Sequence, residues 1–324
     1  MAERIYLWDN LKVMLMMMVV MTHSVNVYQL DGYEWIQYFW ILIMTYTMPL
    51  FMMISGFWYK QRNTKYCLKH YLYPCLVFSV INIVGGAICG AYPEGNIPLK
   101  MGWAMWYIWA LFIYNLITPY LLKHIDVNRL LLFSIIVSFV CGIKFLSNSF
   151  LDAQRVVHFY PFYMIGMWLR TKESYIYHAS SKIKSYGLCI FLLCNIVYAI
   201  LCYVFPGFCY GTGFMGSHGL SIIGFTSKWG NFILTLVMSV CVILLMPNKQ
   251  YSITRYGART MNVYMLHMSI VFPLSWYCLR PIMDEWYGYV LYIIAVPTLC
   301  TFLFSQEVDR FMKSILSLPD KIIK

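Results

Sequence analysis

The stretch Asp9–Tyr28, DNLKVMLMMMVVMTHSVNVY, decides how this chain is read. Ten residues separate Lys12 from His23, and none of them is charged. At ~100° per residue, eleven positions make three turns and roughly 20° more, so both side chains lie on one face of a helix. A rise of ~1.5 Å per residue sets His23 roughly 16 Å along the axis from Lys12. In a helix crossing a bilayer whose apolar core is ~30 Å thick, the lysine marks one edge and the imidazole lies past the middle. Ionisable groups at that depth are costly and mark functional sites by default. The structural alternative is a histidine hydrogen-bonded to a neighbouring helix.

The rest of the chain has the composition of a membrane protein. Of 324 residues, 61% are hydrophobic and 11% charged, against about 25% charged in soluble domains. Aromatic residues, 19% of the total, gather near the ends of apolar runs, where interfacial anchors sit. The first apolar run is long, has no A-x-A-like cleavage site after it and carries His23. It therefore reads as a retained helix and not as a signal peptide. The 11 cysteines fall mostly within apolar runs and form no CxxC pair. They read as small core residues, with neither a disulfide framework nor a metal site.

Ten apolar stretches follow one another: Val13–Tyr28, Trp35–Tyr59, Tyr71–Tyr92, Trp103–Leu122, Leu130–Leu146, Val156–Leu169, Tyr186–Phe205, Trp229–Met246, Thr260–Leu279 and Tyr287–Ser305. The longest piece outside them is Pro206–Lys228. The expected fold class is all-α: a polytopic bundle of about ten transmembrane helices, one domain over residues 1–324, multi-pass in the cell (plasma or inner) membrane. Alternate loops counted from the N-terminus carry 19 of the 24 Lys/Arg and the intervening loops carry 5, with Lys144 at the end of its span counted among these. That asymmetry places both termini in the cytoplasm. The net charge of +11 is mostly this bias and calls for no nucleic-acid partner.

The acidic residues discriminate between function classes. All 13 Asp/Glu fall outside the ten stretches, whereas ion- and proton-coupled carriers commonly place carboxylates at mid-membrane. His23 and His267 are the titratable side chains placed well inside spans, with Lys144 and His158 near span ends. A neutral imidazole in such a place accepts a proton near physiological pH. Gly211–Gly216 formally matches G-x-G-x-x-G, but it follows no strand, so no dinucleotide site is read there.

Five patterns occur in order along the chain. Arg4 and Asp9-Asn10-Leu11-Lys12 precede Val19-Val20 and His23, and Met48-Pro49-Leu50-Phe51 precedes Ser55-Gly56. Trp106-Tyr107 comes next, then Phe159-Tyr160-Pro161-Phe162 with Gly166, and finally Tyr256-Gly257 with Tyr264 and His267. Together they cover residues 4 to about 305, and in that order the chain resembles the membrane acyltransferase-3 family.

The resemblance implies an integral membrane enzyme that moves an acyl group, usually acetyl, from cytoplasmic acetyl-CoA to a hydroxyl of a surface or lipid-linked glycan. Acetyl-CoA is a co-substrate; no tightly bound cofactor and no metal is expected. Partners are acetyl-CoA, the glycan or lipid-linked acceptor, and membrane lipids. His23 would act as general base on the acceptor hydroxyl or as a transient acyl carrier. Coenzyme A is polyanionic and needs cationic donors, for which Lys12, Arg62, Lys65 and Lys69 are the candidates. Family members often carry two arginines three apart after the Ser-Gly turn; this chain has Arg62 and Lys65 at that spacing, or Lys69-His70 nearer Pro74. Channel or acceptor candidates are Asp9, Trp106, Tyr107, His158, Tyr264 and His267. Asp9 is placed either to pair with Lys12 or to favour the helix dipole. Core packing is the alternative for Trp106 and Tyr107, and an interhelical hydrogen bond for His267. The competing reading is a transporter or flippase of lipid-linked sugars that performs no chemistry. It differs in needing neither a donor site nor an essential histidine.

Overall fold

The structure is a computed structural model that describes residues 5–25, 34–88, 103–141, 151–205, 208, 222–274, 277, 282 and 286–322. Arg4, Lys144 and the Gly211–Gly216 motif lie outside them. Among the described residues all regular structure is helical, and a helix occupies each of the ten apolar stretches. In chain order these are α1 (Leu7–Val25), α2 (Glu34–Phe57), α3 (Thr64–Ile88), α4 (Trp106–Leu121), α5 (Val127–Cys141) and α6 (Ala153–Arg170). There follow α7 (Glu173–Tyr177), α8 (Ser181–Val204), α9 (Ile222–Leu245), α10 (Thr260–Pro273), α11 (Trp286–Leu303), α12 (Gln306–Leu316) and α13 (Leu318–Ile322). Three of them, α3, α8 and α9, are long and apolar enough to cross a membrane by length and composition. Leu42–Phe57, Val127–Cys141 and Ile294–Leu303 are shorter apolar helices. Helix α8 exposes Leu188, Leu192, Leu193, Ile196 and Ile200 along its outer face. A water-facing helix would carry polar groups there, and lipid tolerates none of them.

Helix starts differ from the sequence reading at three informative places. α1 begins at Leu7, so Asp9 stands in its first turn, where a carboxylate favours the helix dipole. α6 begins at Ala153 and places His158 inside the helix, fully buried, not near a span end. α9 begins at Ile222, so Lys228 is intrahelical and not the last residue of a loop. Cys202 is disulfide-bonded, which departs from the expectation that the cysteines are only core residues. Cys67, Cys75, Cys141, Cys189, Cys194, Cys241 and Cys300 are free.

The chain divides into two compact units. The first comprises Met1–Trp8, Ile41–Arg62 and Ile113–Lys249. Its centre is α6, buried without a break from His158 to Gly166, as a helix apolar on all sides must be. α5 packs along α6, and α8 along α9. Phe139 of α5 stacks on Trp229 of α9 at 4.0 Å, and Phe162 of α6 meets Phe232 of α9 at 5.0 Å. Tyr114 donates to the Val156 carbonyl at 2.5 Å, and Thr118 bonds Tyr160 at 3.0 Å.

The second unit comprises Asp9–Trp40, Asn63–Phe112 and Gln250–Lys324. Here α10 packs on α3, α11 and α12. In α3 a π turn at Leu68–Leu72 precedes Pro74, whose missing N–H leaves the ladder one bond short and widens the turn. α12 is amphipathic: Val308 and Met312 are buried, and Ser305 caps it by accepting from the Val308 N–H at 3.3 Å. It is tied down by Asn262, which donates to Asp309 at 2.7 Å. Arg259 donates to the Phe304 carbonyl at 2.8 Å, at the junction of α11 and α12.

Candidate functional site

Within the second unit, Lys12 and His23 stand on one helix with no proline, glycine or break between them. Lys12 pairs with Asp9 at 2.9 Å, both partly exposed. Gly257 explains how Asp9 comes to lie there. A Cβ at that position would fall 2.5 Å from the Asp9 Cβ, so only glycine lets the 3₁₀ turn Thr254–Arg259 close against α1. One turn of chain earlier, Thr254 donates to Asn10 at 2.6 Å and ties the same two segments together. The start of α1 is therefore fixed, and with it the position of Lys12.

At the other end of α1 the half-buried His23 ring lies 5.2 Å from the ring of His267, centroid to centroid. His267 is fully buried on α10. Its Nδ1 lies 2.6 Å from the Tyr264 carbonyl and 3.2 Å from that of Val263. A carbonyl only accepts, so Nδ1 carries a hydrogen and donates it to the Tyr264 carbonyl. Nε2 of the same ring is buried and makes no hydrogen bond among the described residues. The Tyr264 ring lies 5.6 Å from that of His267, tilted by 45°, and its hydroxyl donates to the Ala104 carbonyl. Tyr107 lies 5.2 Å from Tyr264, and Trp106 6.4 Å from Tyr107. A continuous series of ring contacts thus runs from Trp106 through Tyr107, Tyr264 and His267 to His23.

The remaining candidates fall elsewhere. Lys69 is in an ion pair with Asp320. Lys65 is exposed at the start of α3, and Arg62, also exposed, belongs to the first unit. His158 belongs to the first unit too, where it meets Lys228 of α9 and Ser138 of α5. Sequence reasoning placed Lys228 just outside a span because a charge ends an apolar window; its partners come from α5 and α6, which spacing along α9 does not reveal. Among the described residues no group of three or more His, Cys, Asp or Glu is arranged to hold a metal.

Among the described residues all regular structure is helical, three helices are long and apolar enough to cross a membrane, and α1 carries a cation near its start and, near its end, an imidazole against a buried aromatic wall. The chain belongs to the acyltransferase-3 family: the model of that family, an acyltransferase domain, matches residues 5–305. No curated protein and no solved structure matches it.

Proposed function

We propose that this protein is an integral membrane O-acetyltransferase, with both termini cytoplasmic, that transfers acetyl from cytoplasmic acetyl-CoA to a hydroxyl of a surface or lipid-linked glycan. The observation that carries this reading is the placement of Lys12 and His23 on one unbroken helix, with His23 against His267 and its aromatic neighbours. The axial separation of roughly 16 Å is of the order of the length of the pantetheine arm, which has phosphates at one end and the thioester at the other. Lys12, held by Asp9, contributes to phosphate binding at the cytoplasmic end, and the thioester reaches the level of His23.

In the reaction, His23 takes the proton of the acceptor hydroxyl as the oxygen attacks the thioester carbonyl. The C–O bond forms, the C–S bond breaks, and the thiolate of CoA takes the proton back from the imidazolium. His267, whose Nδ1–H is committed to the Tyr264 carbonyl, packs its ring against His23 and holds it in place. Tyr107 and Trp106 wall the acyl path. Comparing the masses of surface glycans from cells with and without the protein tests the reading. One acetyl per repeat is expected to disappear with the gene; unchanged acetylation with altered glycan export points to a carrier instead.

A further inference from the structure

Within the second unit, the C-terminal helices form a strap between the start of α1 and the start of α3. At the strap's first end the Phe304 ring stacks on Tyr256, centroids 5.2 Å apart, and the Phe304 carbonyl accepts from Arg259. Tyr256 and Arg259 belong to the 3₁₀ turn that closes on Asp9, the partner of Lys12. Further along, Tyr73 of α3 donates to the Ile315 carbonyl of α12 at 3.3 Å. At the strap's far end, Asp320 of α13 sits on the Lys69 ammonium of α3. Lys12 and Lys69, two cations that the donor reading needs, are thus joined by one C-terminal segment.

The two helices of the strap are held differently. α12 sinks Val308 and Met312 into the unit, and Asn262 binds its Asp309. α13 is five residues long, too short to persist as a helix by itself, and its Leu318 is exposed. Its carboxylate is 58% exposed, on a lysine side chain that is 18% exposed. An ion pair this open to water holds weakly, and Asp320 loses little solvation that it would need to regain on leaving. Lys69 lies in the π turn Leu68–Leu72, and the exposed Lys65 stands about one turn before it. The Asp320 carboxylate pairs with Lys69; a run of phosphates has charge and oxygens enough for both lysines.

We propose that α13 is an autoinhibitory gate: the Asp320 carboxylate occupies Lys69 while the donor site is empty, and the phosphates of acetyl-CoA displace it. This rests on acetyl-CoA being the donor. No covalent bond changes. Lys69 exchanges a carboxylate for a phosphate, α12 stays seated, and α13 turns outward at Ser317, the residue between the two helices. As CoA leaves, Asp320 returns to Lys69 and competes with rebinding of the product.

The test uses the full chain in nanodiscs of phosphatidylcholine, with acetyl-CoA affinity read by calorimetry and opening of α13 by hydrogen–deuterium exchange. Saturating acetyl-CoA should speed exchange in α13 by about two- to fivefold, the worth of an exposed ion pair, and leave α12 unchanged. S-acetylpantetheine, which has the thioester but no phosphate, should open nothing. Asp320→Asn should bind acetyl-CoA about two- to fivefold more tightly than wild type, with α13 already exchanging at the donor-bound rate. Asp320→Glu, which keeps the charge, should stay close to wild type. Lys69→Met should bind the donor more weakly, and its α13 should exchange fast with or without it; if that variant does not fold, the Asp320 variants carry the test. A purely structural ion pair predicts that acetyl-CoA leaves α13 unmoved and that Asp320→Asn gains no affinity; either result overturns the gate. The donor reading fails separately: acetyl-CoA that does not bind the wild-type chain refutes that reading and the gate with it, whereas binding with α13 unmoved refutes the gate alone.

Discussion

Replacing Gly166 or Gly56 by alanine should force α2 and α6 apart. A Cβ on Gly166 would fall 2.7 Å from the carbonyl carbon and 2.9 Å from the Cα of Met53. One on Gly56 would fall 2.8 Å from the Tyr163 carbonyl carbon and 3.2 Å from the Met167 nitrogen. Carbon atoms in contact sit at about 3.5–4.0 Å, and the obstacle at both sites is backbone, which no rotamer change moves. The helices must separate by about 1 Å, which loosens the packing on either side of the crossing. Overpacking of this kind costs about 1–3 kcal/mol, or roughly a 5- to 150-fold fall in the folded-to-unfolded ratio. Both glycines serve one crossing, so a separation forced by the first alanine relieves the second. The double variant should lose at least about 0.5 kcal/mol less than the sum of the singles. Gly187, on α8 with nothing within 4 Å of its would-be Cβ, is the control: Gly187→Ala should be neutral or stabilising by up to about 1 kcal/mol, the helix preference of alanine. Unfolding of detergent-purified variants by heat and by denaturant measures all four. Gly166→Ala and Gly56→Ala both within about 0.5 kcal/mol of wild type, the range of inconsequential surface changes, would refute the close crossing, as would strict additivity.

Other outcomes follow from the charges. Reporter fusions after Lys65 and Lys324 should report cytoplasm and one at Glu94 the outside; an outside signal at Lys65 removes the basis for a cytoplasmic donor site. Lys12→Ala should weaken acetyl-CoA binding, and Lys12→Arg should retain much of it, because phosphate accepts any well-placed cation; unchanged donor affinity in folded Lys12→Ala rules the role out. The Lys313 ammonium, 2.7 Å from Asp309, and then the Asn262 amide hold the Asp309 carboxyl below the usual carboxylate range. A lowered folded-state value means that the stabilisation is present above the unfolded value of about 3.9 and is lost as pH falls through the folded one. Wild type should therefore exceed Asp309→Asn in unfolding temperature at neutral pH and converge with it in acid; a gap that persists in acid contradicts the linkage.

How much of this was legible differs by feature. Membrane-type helices announce themselves because lipid requires long uninterrupted apolar runs; each stretch read from the sequence holds a helix, and three of these helices are long and apolar enough to cross a membrane. The Lys12–His23 relation was readable from helical geometry alone, since both residues belong to one element. The contact of His23 with His267 was not, because helix-to-helix neighbourhood has no signature in spacing. Gly56 and Gly166 stood out as parts of motifs, yet the structure makes them the two sides of one helix crossing. α12 lies beyond the ten apolar stretches, where hydropathy alone marks no helix. Its signal was present, in Ser305 as cap and in Val308, Phe311, Met312 and Ile315 at helical spacing opposite Glu307, Asp309, Arg310 and Lys313. Lys228 was missed because a hydropathy window stops at a charge, whereas a folded helix continues where the charge is accommodated.

The most direct test of the account is acetyl transfer by His23→Gln. Glutamine keeps a hydrogen bond but cannot carry a proton near neutral pH. Transfer from acetyl-CoA to a glycan acceptor, measured on protein whose unfolding temperature and donor affinity are checked in the same preparation, should fall by about 10²- to 10⁴-fold, the range for loss of a general base, with both checks unchanged. Wild-type transfer by folded His23→Gln protein would show that the imidazole is not the base.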